Sequence, residues 1–325
     1  MLYKLIKKLY SREGYVGIII REFVSYYEAK KGTVDAQKDY KKSIKRGHSI
    51  RSALEVVGQR FPMVKSSSDE QPIFILSAGW RSGSTMLQRL VMSKQKILIW
   101  GEPYSHSLML KHLSNTISAI TADWPEENWF INQNNLETLD TTFVANLYPE
   151  INELQSAYLA YMQALFIESA TKRGFNKWGI KDVRLNMDDA RFLKWLYPKS
   201  KFLFLVRDPL NAYRSYRSAR NWYYEWPKQP ILTAKDFGIH WNKLAKEFYE
   251  EHADVNGLLL RHEDICTGSI DFQALESYLD IEIEQALISK KVGSHRKAGD
   301  KIPFYERNML LKEVKHVAQK YDYKL

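Results

Sequence analysis

The residues that could do chemistry gather in two short basic stretches. Residues 74–90, FILSAGWRSGSTMLQRL, run from an apolar segment through Arg81-Ser82-Gly83-Ser84-Thr85 into a helical pattern. Residues 201–215, KFLFLVRDPLNAYRS, repeat the plan: an apolar run, then Arg207-Asp208-Pro209, then a helix carrying Ser215. A turn that opens a helix presents free backbone N–H groups and the positive end of the helix dipole to an anion. Gly83 admits close backbone approach, Ser84 and Thr85 add hydroxyls and amides, and Arg81 adds a planar fork for oxyanions. Pro209 suits a helix start, where a missing N–H costs little. Arg207 and Ser215 are then placed to meet a second anion. Two such turns predict a ligand with anionic groups at two separated positions.

The first stretch invites comparison with the phosphate loop of nucleotide-hydrolysing proteins, G-x-x-x-x-G-K-[ST]. Here Ala78 takes the place of the first glycine and Ser84 that of the lysine. No aspartate follows an apolar strand in the place of a second metal-binding motif. Metal-assisted hydrolysis of ATP or GTP is therefore disfavoured. The loop suits a 5′-phosphate whose transferred group carries less charge than a γ-phosphate.

These turns need strands behind them. Apolar runs at 72–77, 96–100, 178–181, 201–207 and 257–264 read as strands, and 84–93, 188–196 and 210–222 read as helices. Short apolar strands alternating with helices predict an α/β fold, a parallel sheet with helices on both faces. Ligands then bind beyond the carboxyl ends of the strands. Segments 104–175 and 222–250 are rich in aromatic residues and read as insertions around a cleft. The polar stretch KSSSDEQP, 65–72, marks a boundary between a basic, mainly helical extension (1–70) and the main domain (71–325).

Composition sets the outer bounds. With 325 residues and 45% hydrophobic composition the chain supports a large core. No apolar run approaches the roughly 18 residues of a membrane span, and no secretory signal is evident. The single cysteine, Cys266, excludes an internal disulfide and fits a reducing, cytoplasmic setting. The net charge of +10 is uneven, since residues 1–50 hold 12 Lys and Arg against 5 Asp and Glu. Leu2, Leu5, Ile6 and Leu9 recur at helical spacing with Lys4, Lys7 and Lys8 opposite, a helix suited either to pack on its own domain or to lie on an anionic membrane surface.

The two stretches together resemble the 5′-phosphosulfate loop and the 3′-phosphate motif of sulfotransferases that use 3′-phosphoadenosine 5′-phosphosulfate (PAPS). The resemblance extends in order to WGEPYSH (100–106), WGIKDVR (178–184) and LLLRHED, and spans about residues 72–265. The separations from Arg81 to Glu102 and from Lys181 to Arg207 are similar to those of tyrosylprotein sulfotransferases and compatible with bacterial and carbohydrate-directed members. It implies a P-loop-like sulfotransferase fold, with PAPS as donor, 3′,5′-ADP as product and no metal requirement.

It also implies roles. Ser82, Gly83, Ser84 and Thr85 with Arg81 hold the 5′-phosphosulfate, and Arg207 and Ser215 hold the 3′-phosphate. Lys181 approaches the sulfonyl and bridging oxygens. Glu102, just past a strand and so on the same rim, is the candidate base; His106 is the alternative, and a third reading has Glu102 only pairing with a cation. The stretch HRKAGDK implies that Arg296 and Lys297 close over the 3′-phosphate, although Ala298 stands where the family has glycine. His262 replaces a tyrosine that lies near the adenine in many members, which puts its contact with the base in doubt. The acceptor is expected to be a glycan or a small-molecule, phenol, sterol or lipid hydroxyl, with Trp124, Trp129, Trp222, Tyr223, Tyr224 and Trp226 as candidate lining; no nucleic acid is expected. Two other readings remain: a P-loop kinase of a small substrate, and a non-catalytic protein that binds polyanions or membranes through its basic arm.

Overall fold

The computed structural model describes residues 15–45, 49–104, 107–131, 136–141, 146–218, 231–289 and 301–325. The chain divides into two compact units, Met1–His48 and Ser49–Leu325. The described part of the first is one helix, α1 (Tyr15–Lys45). The second opens with α2 (Ile50–Arg60), whose Ile50, Ala53 and Val57 are buried in the main core. The second unit takes in α2 because the spacing of those three residues gives that helix an apolar face to bury.

Five parallel strands form the sheet: β1 (Ile73–Ser77), β2 (Ile97–Gly101), β3 (Lys177–Asp182), β4 (Lys201–Val206) and β5 (Leu258–Arg261). Their order is β2-β3-β1-β4-β5. Period-two alternation sends Ile73, Ile75, Leu203 and Leu205 to one face. There they meet Leu87, Leu90 and Val91 of α3 (Ser84–Val91). Phe74, Leu76, Phe202 and Phe204 go to the other face, which is covered by α2, α4 (Met109–Ile117) and α5 (Ile151–Met162). After α6 (Glu168–Thr171), α7 (Met187–Leu196) joins them, and α8 (Pro209–Arg217) leads to α9 (Ala234–Glu251), which shares that face. Beyond β5, α10 (His262–Thr267) leads to α11 (Phe272–Leu279) on the α3 side, and α12 (Phe304–Lys320) packs with α9. Each fully buried Phe contributes about 1.5–3 kcal/mol of transfer free energy, so both faces are firmly held.

The connections explain where a ligand must sit. The crossover from β1 to β2 runs through α3 on one face, whereas those from β3 to β4 and from β4 to β5 run on the other. Right-handed crossovers require opposite faces for opposite directions of travel along the sheet. The direction reverses at β1, and the crevice outside the strand ends at such a reversal is the usual ligand site. Along that rim the order is Glu102 after β2, Asp182 closing β3, the loop 78–83 after β1, Arg207 after β4, and His262 after β5. In the last case the expected strand over 257–264 stops at Arg261. His262, Glu263 and Asp264 open α10 instead, where two acidic residues in the first turn suit the helix dipole.

Candidate active site

The loop after β1 is shaped by three residues of positive φ: Gly79 (+83°), Arg81 (+63°) and Gly83 (+90°). Gly83 occupies the N-cap of α3, and no side chain caps that helix. The first-turn amides at Ser84 and Thr85 are therefore left for another acceptor. A side chain is excluded at Gly83 by space as well as by φ, because a Cβ there would lie 2.0 Å from Cδ2 of His262. Ser82 is 1% exposed, and its hydroxyl has no hydrogen-bond partner. An orphaned buried hydroxyl is rare in native proteins, and here it sits inside an anion-shaped turn.

The second turn meets this loop directly. Asp208 caps α8 by accepting the Asn211 N–H at 2.7 Å, and Pro209 fills the first helical position. That start places Ser215 in the helix body facing the loop, where its Oγ accepts from Arg81 Nε at 2.9 Å. Arg207 Nη1 donates to the Arg81 carbonyl at 2.9 Å. Its own carbonyl accepts from Trp241 Nε1 at 3.0 Å, while its buried Nε has no partner. Burial is the largest influence lowering the Arg207 pKa; nearby Arg81 adds to it and Glu263 opposes it. Arg81, Arg207 and Ser215, from sites far apart in the chain, thus form one basic wall.

On the other side of the loop lies a charged cluster at the ends of β2 and β3. Glu102 takes a left-handed φ of +45°, uncommon outside glycine and costly enough to mark a constrained site. Its N–H bonds to the Lys181 carbonyl at 2.7 Å, and Lys181 Nζ donates to its Oε1 at 2.5 Å. The Lys181 side chain is 7% exposed and that of Glu102 21%, so this pair is shielded but open at the carboxylate end. Asp182 beside it is buried, and burial followed by the charge of Glu102 pushes its carboxyl up to about 6. The Arg184 N–H donates to Asp182 Oδ1 at 2.8 Å, and the Arg184 guanidinium lies 5.9 Å over the Trp80 ring. The ring of His240 in α9 lies tilted against Trp80, with centroids 5.0 Å apart, and burial holds its imidazole down to about 4.

Of the residues singled out in the sequence, Arg81 to Thr85, Glu102, Lys181, Arg207 and Ser215 all lie on this rim. His106, Arg296 and Lys297 lie outside the described residues, as do Trp222, Tyr223, Tyr224 and Trp226. Trp124 and Trp129 pack edge to face on each other at 4.5 Å, and Trp129 packs in turn on Tyr148. Sequence reasoning misses Asp182, Arg184 and His240. The charged residues of KDVR directly after a strand are the one signal that points to the first two. A surface groove of about 380 Å³, lined by Arg60, Phe61, Met63, Phe130 and Ile151, shares no residue with the rim. A far smaller cavity, about 10 Å³, touches Pro103, Asp182 and Arg184. The orphaned donors and paired charges make the rim the candidate site.

A model of the sulfotransferase family matches residues 72–283, more than half of the chain. The chain belongs to the sulfotransferase family. The matched span of this sulfotransferase takes in every rim residue just described. Solved structures similar to it include the sulfotransferase domain from the curacin biosynthetic pathway. It is 16% identical, with 80% of this chain and 100% of that one covered and a TM-score of 0.42. A sulfotransferase from Alicyclobacillus acidocaldarius is 14% identical, with 78% and 97% covered and a TM-score of 0.41. A mouse sulfotransferase complexed with PAP is 14% identical, with 85% and 94% covered and a TM-score of 0.34. No curated protein matches the sequence. No described helix is long and apolar enough to cross a membrane.

Proposed function

We propose that this sulfotransferase takes its sulfonyl group from PAPS and transfers it to an alcohol or phenol oxygen, with Glu102 as general base. The observation that carries the donor reading is the wall formed by Arg81, Arg207 and Ser215 against the loop at 82–85. One anion fits the open first-turn amides of α3 and the Ser82 hydroxyl; a second fits Arg207 and Ser215 one strand away. A donor with phosphates on both its 5′ and 3′ positions satisfies both, and PAPS supplies an activated sulfonyl group at the 5′ end.

The chain's own groups then divide the work. The Glu102 carboxylate accepts the proton of the acceptor hydroxyl as that oxygen forms its bond to sulfur. The bond from sulfur to the bridging oxygen breaks, and its electron pair leaves with the 5′-phosphate. Lys181 is already poised against Glu102 in their ion pair. It can turn its Nζ–H bonds to the sulfonyl and bridging oxygens as charge builds there. Positioned charge of this kind contributes several kcal/mol, and a general base about 10²–10⁴-fold. Asp182 follows Lys181 in the chain and accepts the Arg184 N–H at 2.8 Å.

The acceptor is proposed to be a glycan or a small-molecule or lipid hydroxyl. The test is a transfer screen from sulfur-35-labelled PAPS across pooled glycans, phenols, sterols and lipids. Label incorporated into one class, lost in the Lys181→Ala variant, is expected. Incorporation from labelled γ-phosphate of ATP, with none from PAPS, would replace this reading with the small-substrate kinase.

A further inference from the structure

His262 begins α10 at the end of β5, and its imidazole lies on the phosphosulfate loop rather than out in solvent. A Cβ placed on Gly83 would sit 2.0 Å from its Cδ2 and 2.6 Å from its Nε2, so the ring rests directly on that glycine. Cys266 Sγ lies 3.5 Å from Nε2. The charged and titratable groups facing the ring are Arg207 from the turn after β4, and Glu263 and Cys266 from its own helix. Glu263 Oε1 is 4.0 Å from Nδ1. The uncapped, positive end of α3 adjoins it through Gly83. Burial first and Arg207 second hold the imidazole at about 4, opposed only by Glu263. At neutral pH the free protein therefore carries His262 uncharged.

The order of the rim says what passes this ring. With the Glu102–Lys181 pair on the β2–β3 side as the transfer end and the loop after β1 in the middle, the rest of the donor extends over β4 and β5. Arg207 and His262 stand just past the ends of those two strands. An anion seated there offsets the charge of Arg207 and the dipole of α3, the two influences other than burial that disfavour imidazolium, and gives the ring a partner of opposite charge.

We propose that His262 belongs to the donor site and takes up a proton when the anionic donor seats on the loop, joining the loop to the Arg207 turn through one imidazole. The proposal rests on the PAPS reading above. Its consequence is donor binding that tightens on acidification, through a residue distinct from the base.

The test is calorimetric titration of 3′,5′-ADP into the wild-type protein and His262→Asn at pH 5.5 and 7.5, each in two buffers of different ionisation enthalpy. If the bound imidazole returns to its ordinary value of about 6.5 from about 4, the wild-type affinity, relative to the variant, rises about tenfold between pH 7.5 and 5.5. About 0.9 more protons enter per ligand bound at pH 5.5 than in the variant. The ligand's own phosphate titration is common to both proteins and cancels in the comparison. His262→Phe keeps a flat ring on Gly83 without the nitrogens and should show the same loss of linkage. Should neither variant fold, the wild-type imidazole nitrogen shifts, read by NMR with and without 3′,5′-ADP at pH 5.5, must show one histidine becoming protonated on binding. Binding with parallel pH curves in wild type and variants, or with no histidine changing state, overturns the role of His262 and leaves the donor reading standing. No binding of 3′,5′-ADP at either pH overturns both.

Discussion

Replacing Glu102 by glutamine separates catalysis from architecture, because the structure sets the two effects against different scales. Glutamine keeps an oxygen where Lys181 Nζ now donates at 2.5 Å, so the lysine retains a hydrogen-bond partner. It loses its counterion, however, and the Lys181 side chain is only 7% exposed. Removing one partner of a buried pair costs up to about 3–5 kcal/mol, and the retained hydrogen bond and the 21% exposure of Glu102 place this case well below that. A second change works the other way. The charge of Glu102 is one of the causes that raise the Asp182 carboxyl from 3.8 to about 6, a displacement worth about 3 kcal/mol against its ionised form. Without that charge part of the penalty disappears. The two terms offset, and Glu102→Gln is expected to melt within a few degrees of the wild-type protein. Transfer is another matter, since an amide cannot accept the hydroxyl proton. With the acceptor found in the labelled-PAPS screen, kcat/KM should fall about 10²–10⁴-fold, or about 3–5 kcal/mol in the barrier, while the affinity for 3′,5′-ADP stays within about twofold. Activity within tenfold of wild type would refute the assignment and move the base to His106. Loss of nucleotide binding together with a large drop in melting temperature would show that Glu102 is structural.

Arg207→Ala should weaken 3′,5′-ADP about 10–150-fold, the worth of a charge-assisted hydrogen bond, while 5′-AMP binding changes little; equal losses for both ligands would misplace the 3′-phosphate. Gly83→Ala must meet both a φ of +90° and the His262 ring, so it should lower stability in urea melts far more than Gly174→Ala, where φ is +85° but nothing lies within 4 Å. For Asp182 the folded-state pKa is raised, so its ionised form opposes folding; the penalty is full above about 6 and vanishes as pH falls below the ordinary 3.8. Asp182→Asn should therefore gain stability over wild type at pH 7.5 and progressively less at pH 5, with a constant difference counting against it. A variant beginning at Ser49 should bind 3′,5′-ADP as the full chain does but lose sedimentation with anionic vesicles; unchanged sedimentation would remove the basic residues 1–48 from membrane contact.

What the sequence made legible was whatever local pattern encodes. The run Phe74-Ile75-Leu76 and the run KFLFLV are buried on both faces of a parallel sheet, and such strands announce themselves as continuous apolar segments. Gly83 and Pro209 mark the helix starts that follow them, so the order of residues alone locates both anion turns. The contacts between turns are not encoded in that way. Lys181 and Glu102 are 79 residues apart, and only the pairing of β2 with β3 brings them to 2.5 Å. His240 looks like any polar residue on an amphipathic helix until α9 is laid beside Trp80. His262 reads as a strand residue because LLLRHED continues an apolar run, whereas the acidic first turn of α10 ends the strand one residue earlier.

The central claim is that the two turns together hold one donor phosphorylated at both ends. Titration of 3′,5′-ADP and of ATP into the full chain, each with EDTA and with magnesium, tests it most directly. Micromolar or tighter binding of 3′,5′-ADP is expected, indifferent to magnesium, with ATP at least tenfold weaker. Magnesium-dependent binding of ATP with no uptake of 3′,5′-ADP would contradict it.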